Sequence, residues 1–291
     1  MILLNHLALR MKLPHVAVFL SLLLSVNAAA QDRNFHIFLC FGQSNLESGG
    51  KMEEMDRTVD KRFQVMADAD APNRGWTKGS WYEAVPPLAA KGNGICLVDY
   101  FGRTMVAGLP KNNRVGVIKV SVPGARIEMF EIDTYAKYAA TAATWMQNHI
   151  KRYDGNPYQY LVDLAKLAQK DGVIKGILLH QGESNPGDKE WPNKVKGIYE
   201  NLLKDLDLKA DEVPLLAGEV VNADQEGKCA GFNTILGELP KTLPNSFVIS
   251  SAGCTSNPDR MHFNAAGSRE FGKRYGEKML SLLSQKAVEA K

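Results

Sequence analysis

The sequence predicts an α/β fold in which a mostly parallel, five-stranded central sheet carries helices on both faces. Five apolar runs are nearly continuous rather than alternating, as expected of strands buried on both sides. They are "HIFLCF" (36–41), "VGVIKVSV" (115–122), "VIKGILLH" (173–180), "VPLLAGEVV" (213–221) and "FVISSA" (247–252). Helical periodicity lies between and after them, and a strand–helix–strand alternation is the pattern of a parallel sheet. The chemically interesting residues follow the runs directly, where such sheets bind ligands beyond the carboxyl ends of their strands.

Taken in order, residues 1–30 do not belong to the fold. Arg10 and Lys12 precede the apolar run "VAVFLSLLLSV", and "NAAAQ" offers small residues at a cleavage position. This is the layout of a secretory signal peptide, too short for a comfortable permanent span. Residues 31–291 are read as one domain, since 291 residues with 45% hydrophobic content suit a single sizeable core. The first strand opens into a glycine-containing turn, "GQSN". Residues 50–95 are long and irregular, a cleft wall or lid. Cys96 then enters a helix ahead of the second strand. In "PYQYLVDLAKLAQKDG", Leu161, Leu164, Ala165 and Ala168 share a face, and in "WPNKVKGIYENLLKDL", Val195, Ile198, Tyr199, Leu202 and Leu206 do. "NAAGSREFGKRYGEKMLSLLSQ" closes the chain as a long amphipathic helix.

The net charge is +3, or +1 without the leader cations Arg10 and Lys12. A nearly neutral chain gives no reason to expect nucleic acid or an anionic membrane as partner. Export permits disulfides. Cys40 and Cys96 read as buried thiols, and Cys229 and Cys254, both in loops, as a possible pair. No C-x-x-C pair points to zinc.

Ser44 follows the first run, but a serine hydroxyl needs an adjacent base to act as nucleophile. Its surroundings are not a G-x-S-x-G elbow, because Leu46 stands where the second glycine would be. The base must come from His36, His149, His180 or His262. Of these, only His262 has an acid three residues before it, Asp259, able to fold back onto the ring and fix its tautomer. An acyl-transfer site also needs oxyanion donors. The backbone N–H groups of Ser44 and Gly124 and the side-chain amide of Gln181 are the candidates.

"FGQSN", "VPGARIEMF", "LLHQGESN" and "DRMHF", in this order and spacing, resemble the conserved blocks of the SGNH hydrolases. More narrowly they resemble carbohydrate esterase family 6 and the related sialate O-acetylesterase domain, over nearly all of residues 35–280. Gln43 replaces the Asp of G-D-S and Gln181 the block-three Asn, as is typical of that branch. The resemblance implies a three-layer α/β/α fold and a serine esterase with no metal or other cofactor. Its partner would be an acetylated carbohydrate. Ser44 would be the nucleophile and His262 the base and then acid. Asp259 would orient His262, with Glu183 a second candidate for the acid.

Two other readings draw on different residues. A metal hydrolase would use His180, Glu183, Asp259 and His262. An inactive sugar-binding module would use an aromatic platform of Trp76, Trp81 and Tyr82. As to substrate, the single-domain length favours acetylated xylan. An acetylated sialic acid would instead call on Arg74, Arg126 or Arg260. The leader makes a direct prediction: amino-terminal sequencing of exported protein should begin near Gln31 in the secreted or periplasmic fraction. Cell-retained protein that keeps residues 1–30 would overturn it.

Overall fold

The computed structural model of the protein describes residues 31–48 and 50–289; the signal peptide inferred for residues 1–30 lies outside them. Its strands are β1 (Asp32–Gly42), β2 (Phe63–Met66), β3 (Trp81–Glu83), β4 (Arg114–Ser121), β5 (Gly172–His180), β6 (Leu215–Gly218) and β7 (Ser246–Ile249). Its helices are α1 (Ser44–Glu47), α2 (Leu97–Gly108), α3 (Tyr135–Thr141), α4 (Thr144–Lys151), α5 (Pro157–Ala168), α6 (Trp191–Asp205), α7 (Phe232–Leu236), α8 (Leu239–Thr242) and α9 (Ala265–Glu289).

All five expected strands are present, but the sheet has seven, in the order β3-β2-β4-β1-β5-β6-β7. The additional pair, β2 and β3, lies inside the segment expected to be irregular. β2 adds to β4 in parallel, and β3 closes that edge antiparallel to β2. β3 is three residues long and only partly buried, so it leaves no apolar run to read.

Burial on both faces explains the continuous apolar strands. Phe35, Ile37, Leu39 and Phe41 of β1 enter a core shared with Leu161 and Leu164 of α5 and Val195 and Leu202 of α6. Phe38 and Cys40 point the other way, into a core with Phe101 and Met105 of α2 and Phe271 and Met279 of α9. Each such side chain contributes about 1.5–3 kcal/mol of burial. The covering helices carry local start signals. Asn156 caps α5 by accepting from the Gln159 N–H, with Pro157 in the first turn. At α2, Cys96 is the cap rather than a helical residue, and the Asp99 carboxylate accepts from its N–H.

The central strand positions the site. β1 lies between β4 and β5, and Gly42 at its end is level with Ser121 on one side and His180 on the other. The segments following these three residues therefore emerge side by side. Gly42 has φ +153°, and a Cβ there would stand 2.0 Å from the His180 carbonyl oxygen. We predict that Gly42→Ala costs about 3 kcal/mol or more through overpacking against fixed backbone, read as a lowered urea midpoint. An unchanged midpoint would contradict this close approach of the two strands.

Candidate active site

The turn after β1 is stitched to the end of β5, because the Gln43 N–H donates to the His180 carbonyl at 3.1 Å. Ser44 opens α1, so its own N–H has no carbonyl to meet within the helix. Its Oγ lies 2.9 Å from Nε2 of His262, a residue 218 positions further along the chain. Nδ1 of the same ring lies 2.7 Å from Oδ2 of Asp259. Oδ1 of Asp259 accepts from the backbone N–H groups of Met261, at 2.9 Å, and His262, at 3.0 Å. Partial burial raises the Asp259 pKa, but the hydrogen bonds from the His262 ring and these two N–H groups outweigh it and hold it at about 2. The carboxylate therefore stays charged, fixing Nδ1 as the protonated nitrogen and leaving Nε2 to accept from Ser44.

The loop bearing Asp259 and His262 is tightly folded. Arg260 sits in the left-handed region at φ +57°. Its N–H donates to the Asn257 carbonyl, and the Asn257 N–H to the His262 carbonyl. Asn45, the residue after Ser44, joins this loop to the turn that carries Ser44. Its Nδ2 donates to the Met261 carbonyl at 3.0 Å, and its Oδ1 accepts from the Phe263 N–H at 3.0 Å. The same Nδ2 donates to Oε1 of buried Glu183 at 2.6 Å. Glu183, the second candidate for the acid, thus meets Asn45 and not the His262 ring. Its other neighbour is fully buried His180, whose Nδ1 is 3.9 Å away. Among the described residues no group of three or more His, Cys, Asp or Glu side chains is gathered to hold a metal ion.

On the opposite flank stands Gly124, at φ +67° just past β4. The N–H groups of Ser44 and Gly124 meet no acceptor among the described residues. Gln181, expected as a third oxyanion donor, is turned inward instead. Its Nε2 faces Asn185 Oδ1 at 2.6 Å, Gln43 Oε1 at 3.1 Å and the Ala125 carbonyl at 3.2 Å, and its Oε1 accepts from Trp191 Nε1 at 2.5 Å. Two amide protons facing three internal acceptors leave none for a ligand. Asn185, to which the sequence reading gave no role, anchors this side. Its Oδ1 accepts from the Ile127 N–H, and its Nδ2 donates to Glu128 and Asp188. Those carboxylates bind Lys194 and Arg126.

Ser44 and His262 open on a cleft of about 560 Å³, lined also by Ser48, Lys51, Asn93 and Asn257. A recess of about 380 Å³ adjoins it, sharing Ser48 and Asn93 and adding Glu47, Lys91, His149 and Arg152. The three arginines considered for an anionic substrate are engaged elsewhere. Arg74 donates to the carbonyls of Val85, Pro87 and Ala89, Arg126 pairs with Glu128, and Arg260 pairs with Glu226. The suggested aromatic platform is packing: Trp76 is buried and stacks on Tyr82, while Trp81 meets Phe35 edge-on. Cys229 and Cys254 are free thiols and form no bridge.

A mostly parallel α/β sheet with a serine, an imidazole and a carboxylate in hydrogen-bonded series at the carboxyl ends of its strands is the framework of an SGNH-type ester hydrolase. The sequence model of the family described as "carbohydrate esterase, sialic acid-specific acetylesterase" matches residues 34–281, and the chain belongs to that family of carbohydrate acetylesterases. Solved structures share the fold at low identity. A protein from Arabidopsis thaliana is 18% identical with a TM-score of 0.65, covering 86% of this chain and 99% of its own. NanS is 16% identical with a TM-score of 0.64, covering 88% and 99%. A carbohydrate acetylesterase from Xanthomonas citri is 16% identical with a TM-score of 0.56, covering 82% of this chain and 55% of its own.

Asn45 provides the test of this geometry. Asn45→Ala removes three hydrogen bonds and leaves the buried Glu183 carboxylate without its partner. It should cost about 3 kcal/mol of stability and lower kcat far more than it raises KM. Wild-type kcat in a folded Asn45→Ala enzyme would rule out the clamp.

Proposed function

We propose that the protein hydrolyses O-acetyl esters on carbohydrate through an acetyl-enzyme, with Ser44 as nucleophile. The observation that supports this reading is the unbroken series Ser44 Oγ, His262 Nε2, His262 Nδ1, Asp259 Oδ2, with contacts of 2.9 and 2.7 Å. His262 takes the Ser44 proton as Oγ attacks the acetyl carbonyl, and Asp259 stabilises the imidazolium that forms. The N–H groups of Ser44 and Gly124 receive the developing oxyanion, and losing one such donor costs about 2.7–4 kcal/mol of barrier. His262 returns the proton to the departing sugar hydroxyl. It then activates the water that cleaves the acetyl-enzyme and restores Ser44.

For the sugar, the charge of the cleft favours one carrying a carboxylate, an O-acetylated sialic acid above all. Lys51 lines the cleft and Lys91 the adjoining recess, and neither ammonium has a partner among the described residues. Arg152 in the recess is balanced by Glu47 at 2.8 Å. These two lysine cations, one in the cleft of Ser44 and one in the recess beside it, attract an anionic ring by about 1 kcal/mol each or less, because both are exposed. The family description agrees with this reading. Acetylated xylan is the second reading: the cleft is open and lined with polar groups that would equally hydrogen-bond a neutral sugar.

Acetate release from O-acetylated sialic acid and from acetylxylan, measured side by side, tests both levels. Ser44→Ala should reduce either activity by about 10⁴-fold or more; residual activity near wild type would end the serine mechanism. Higher kcat/KM on the sialic acid, weakening with added salt, is expected. A preference for acetylxylan would replace the acidic-sugar reading and leave the esterase intact.

A further inference from the structure

We propose that Trp145 forms a sugar-stacking subsite beside the oxyanion loop, taking the apolar face of the ring that bears the scissile acetyl group. The inference rests on the carbohydrate-esterase reading above and adds a specificity residue to it. Trp145 lies on α4 and is 52% exposed, the one aromatic among the large hydrophobic side chains exposed in the described residues. Trp76, by contrast, is 6% exposed and Trp191 fully buried.

Two contacts fix where this exposed indole lies. One edge abuts Gly124: a Cβ built on that glycine would stand 2.7 Å from Trp145 Cη2 and 3.5 Å from Cζ2. Any side chain at position 124 would push the indole away, so the glycine serves a second purpose besides its φ of +67°. His149 also meets the indole edge-on, with ring centroids 6.2 Å apart and planes at 80°. His149 lines the recess that shares Ser48 and Asn93 with the cleft of Ser44 and His262. The indole thus touches Gly124 at one edge and meets a ring that lines the recess, with much of its surface open to solvent.

Such a surface suits the C–H-rich face of a pyranose. A sugar ester has its carbonyl oxygen at the Gly124 N–H, and the ring joined to it extends only a few ångströms further, within reach of an indole that touches Gly124. Stacking on a fixed aromatic ring contributes binding through apolar contact and ring electrostatics, whatever the charge of the sugar. It would act on sugar esters and be irrelevant to a small aliphatic ester, which has no ring to lay against it.

The test compares wild type, Trp145→Ala and Trp145→Phe on two substrates: the O-acetylated sugar best cleaved by wild type, and ethyl acetate followed by acid release. Trp145→Ala should raise KM for the sugar about tenfold, with kcat little changed, and leave ethyl acetate hydrolysis within about twofold. Trp145→Phe should recover most of the sugar KM. An unchanged sugar KM would overturn the proposal. So would an equal loss on both esters, which would mean that the indole only props the Gly124 loop. Wild type that cleaves neither ester would instead overturn the esterase reading. In that event tryptophan fluorescence titrated with the deacetylated sugar still decides the subsite: a saturable change in wild type that is lost in Trp145→Phe supports it, and no change overturns it.

Discussion

Gly42, Ser121 and His180 end three neighbouring strands at one level, and the backbone of His180 leaves no room beside Gly42 for a side chain. This close fit is the constraint on which the site depends. It brings the segments after β1, β4 and β5 out together, so that Ser44, Gly124 and Glu183 are neighbours although far apart in sequence. The strands can end level because they are parallel and buried on both faces, which fixes their register through two separate cores. The fourth contribution, the loop of Asp259 and His262, comes from beyond β7, two strands further out. Asn45, the hydrogen bonds inside the loop and the burial of Phe263 hold it at the centre.

Below this surface lies a continuous polar network. Gln43 leans on Gln181, Gln181 on Asn185 and Trp191, and Asn185 on Glu128 and Asp188, which Lys194 and Arg126 neutralise. Burial works against the Glu128 charge, yet hydrogen bonds from Arg126, Lys194 and Asn185 hold its pKa at about 2. A satisfied network of this kind fixes side-chain directions more strictly than apolar packing does, since every misplaced donor leaves a buried group unpaired. It gives the Gly124 side of the site a rigid floor.

Much of this was legible in the sequence, for identifiable reasons. β1, β4 and β5 announce themselves because burial on both faces leaves an apolar run. Ser44, Asp259 and His262 stand out because few residue types carry that chemistry and their spacing limits the choice. β2 and β3 were missed because four- and three-residue strands, one of them partly open to solvent, leave no pattern. Gln181 was misread for another reason. An amide after a strand can face a ligand or the interior, and the groups that decide, Asn185 and Trp191, are recognisable as its partners only once folded. Trp145 was overlooked because exposure is a property of the assembled surface, whereas "WTKGSWY" drew attention by clustering aromatic residues that turn out to be packing.

The way the His262 loop is moored has a further consequence. Residues 250–264 contain no strand or helix. Ser250 and Ser251 are tied to Glu219, Gly253 to Asp224, and Cys254 and Phe263 are buried in the core. The turn between these two buried residues, which carries Asp259 and His262, is moored from outside the loop by Asn45, the Lys228–Arg260 backbone bond and the exposed Arg260–Glu226 pair. The sheet beneath is held by two extensive cores. Local opening therefore requires much less free energy at this loop than at the strands. On warming, the imidazole would detach from the hydroxyl while the scaffold is still intact, so the heat tolerance of the chemistry is set by a short coil segment and not by the bulk of the molecule.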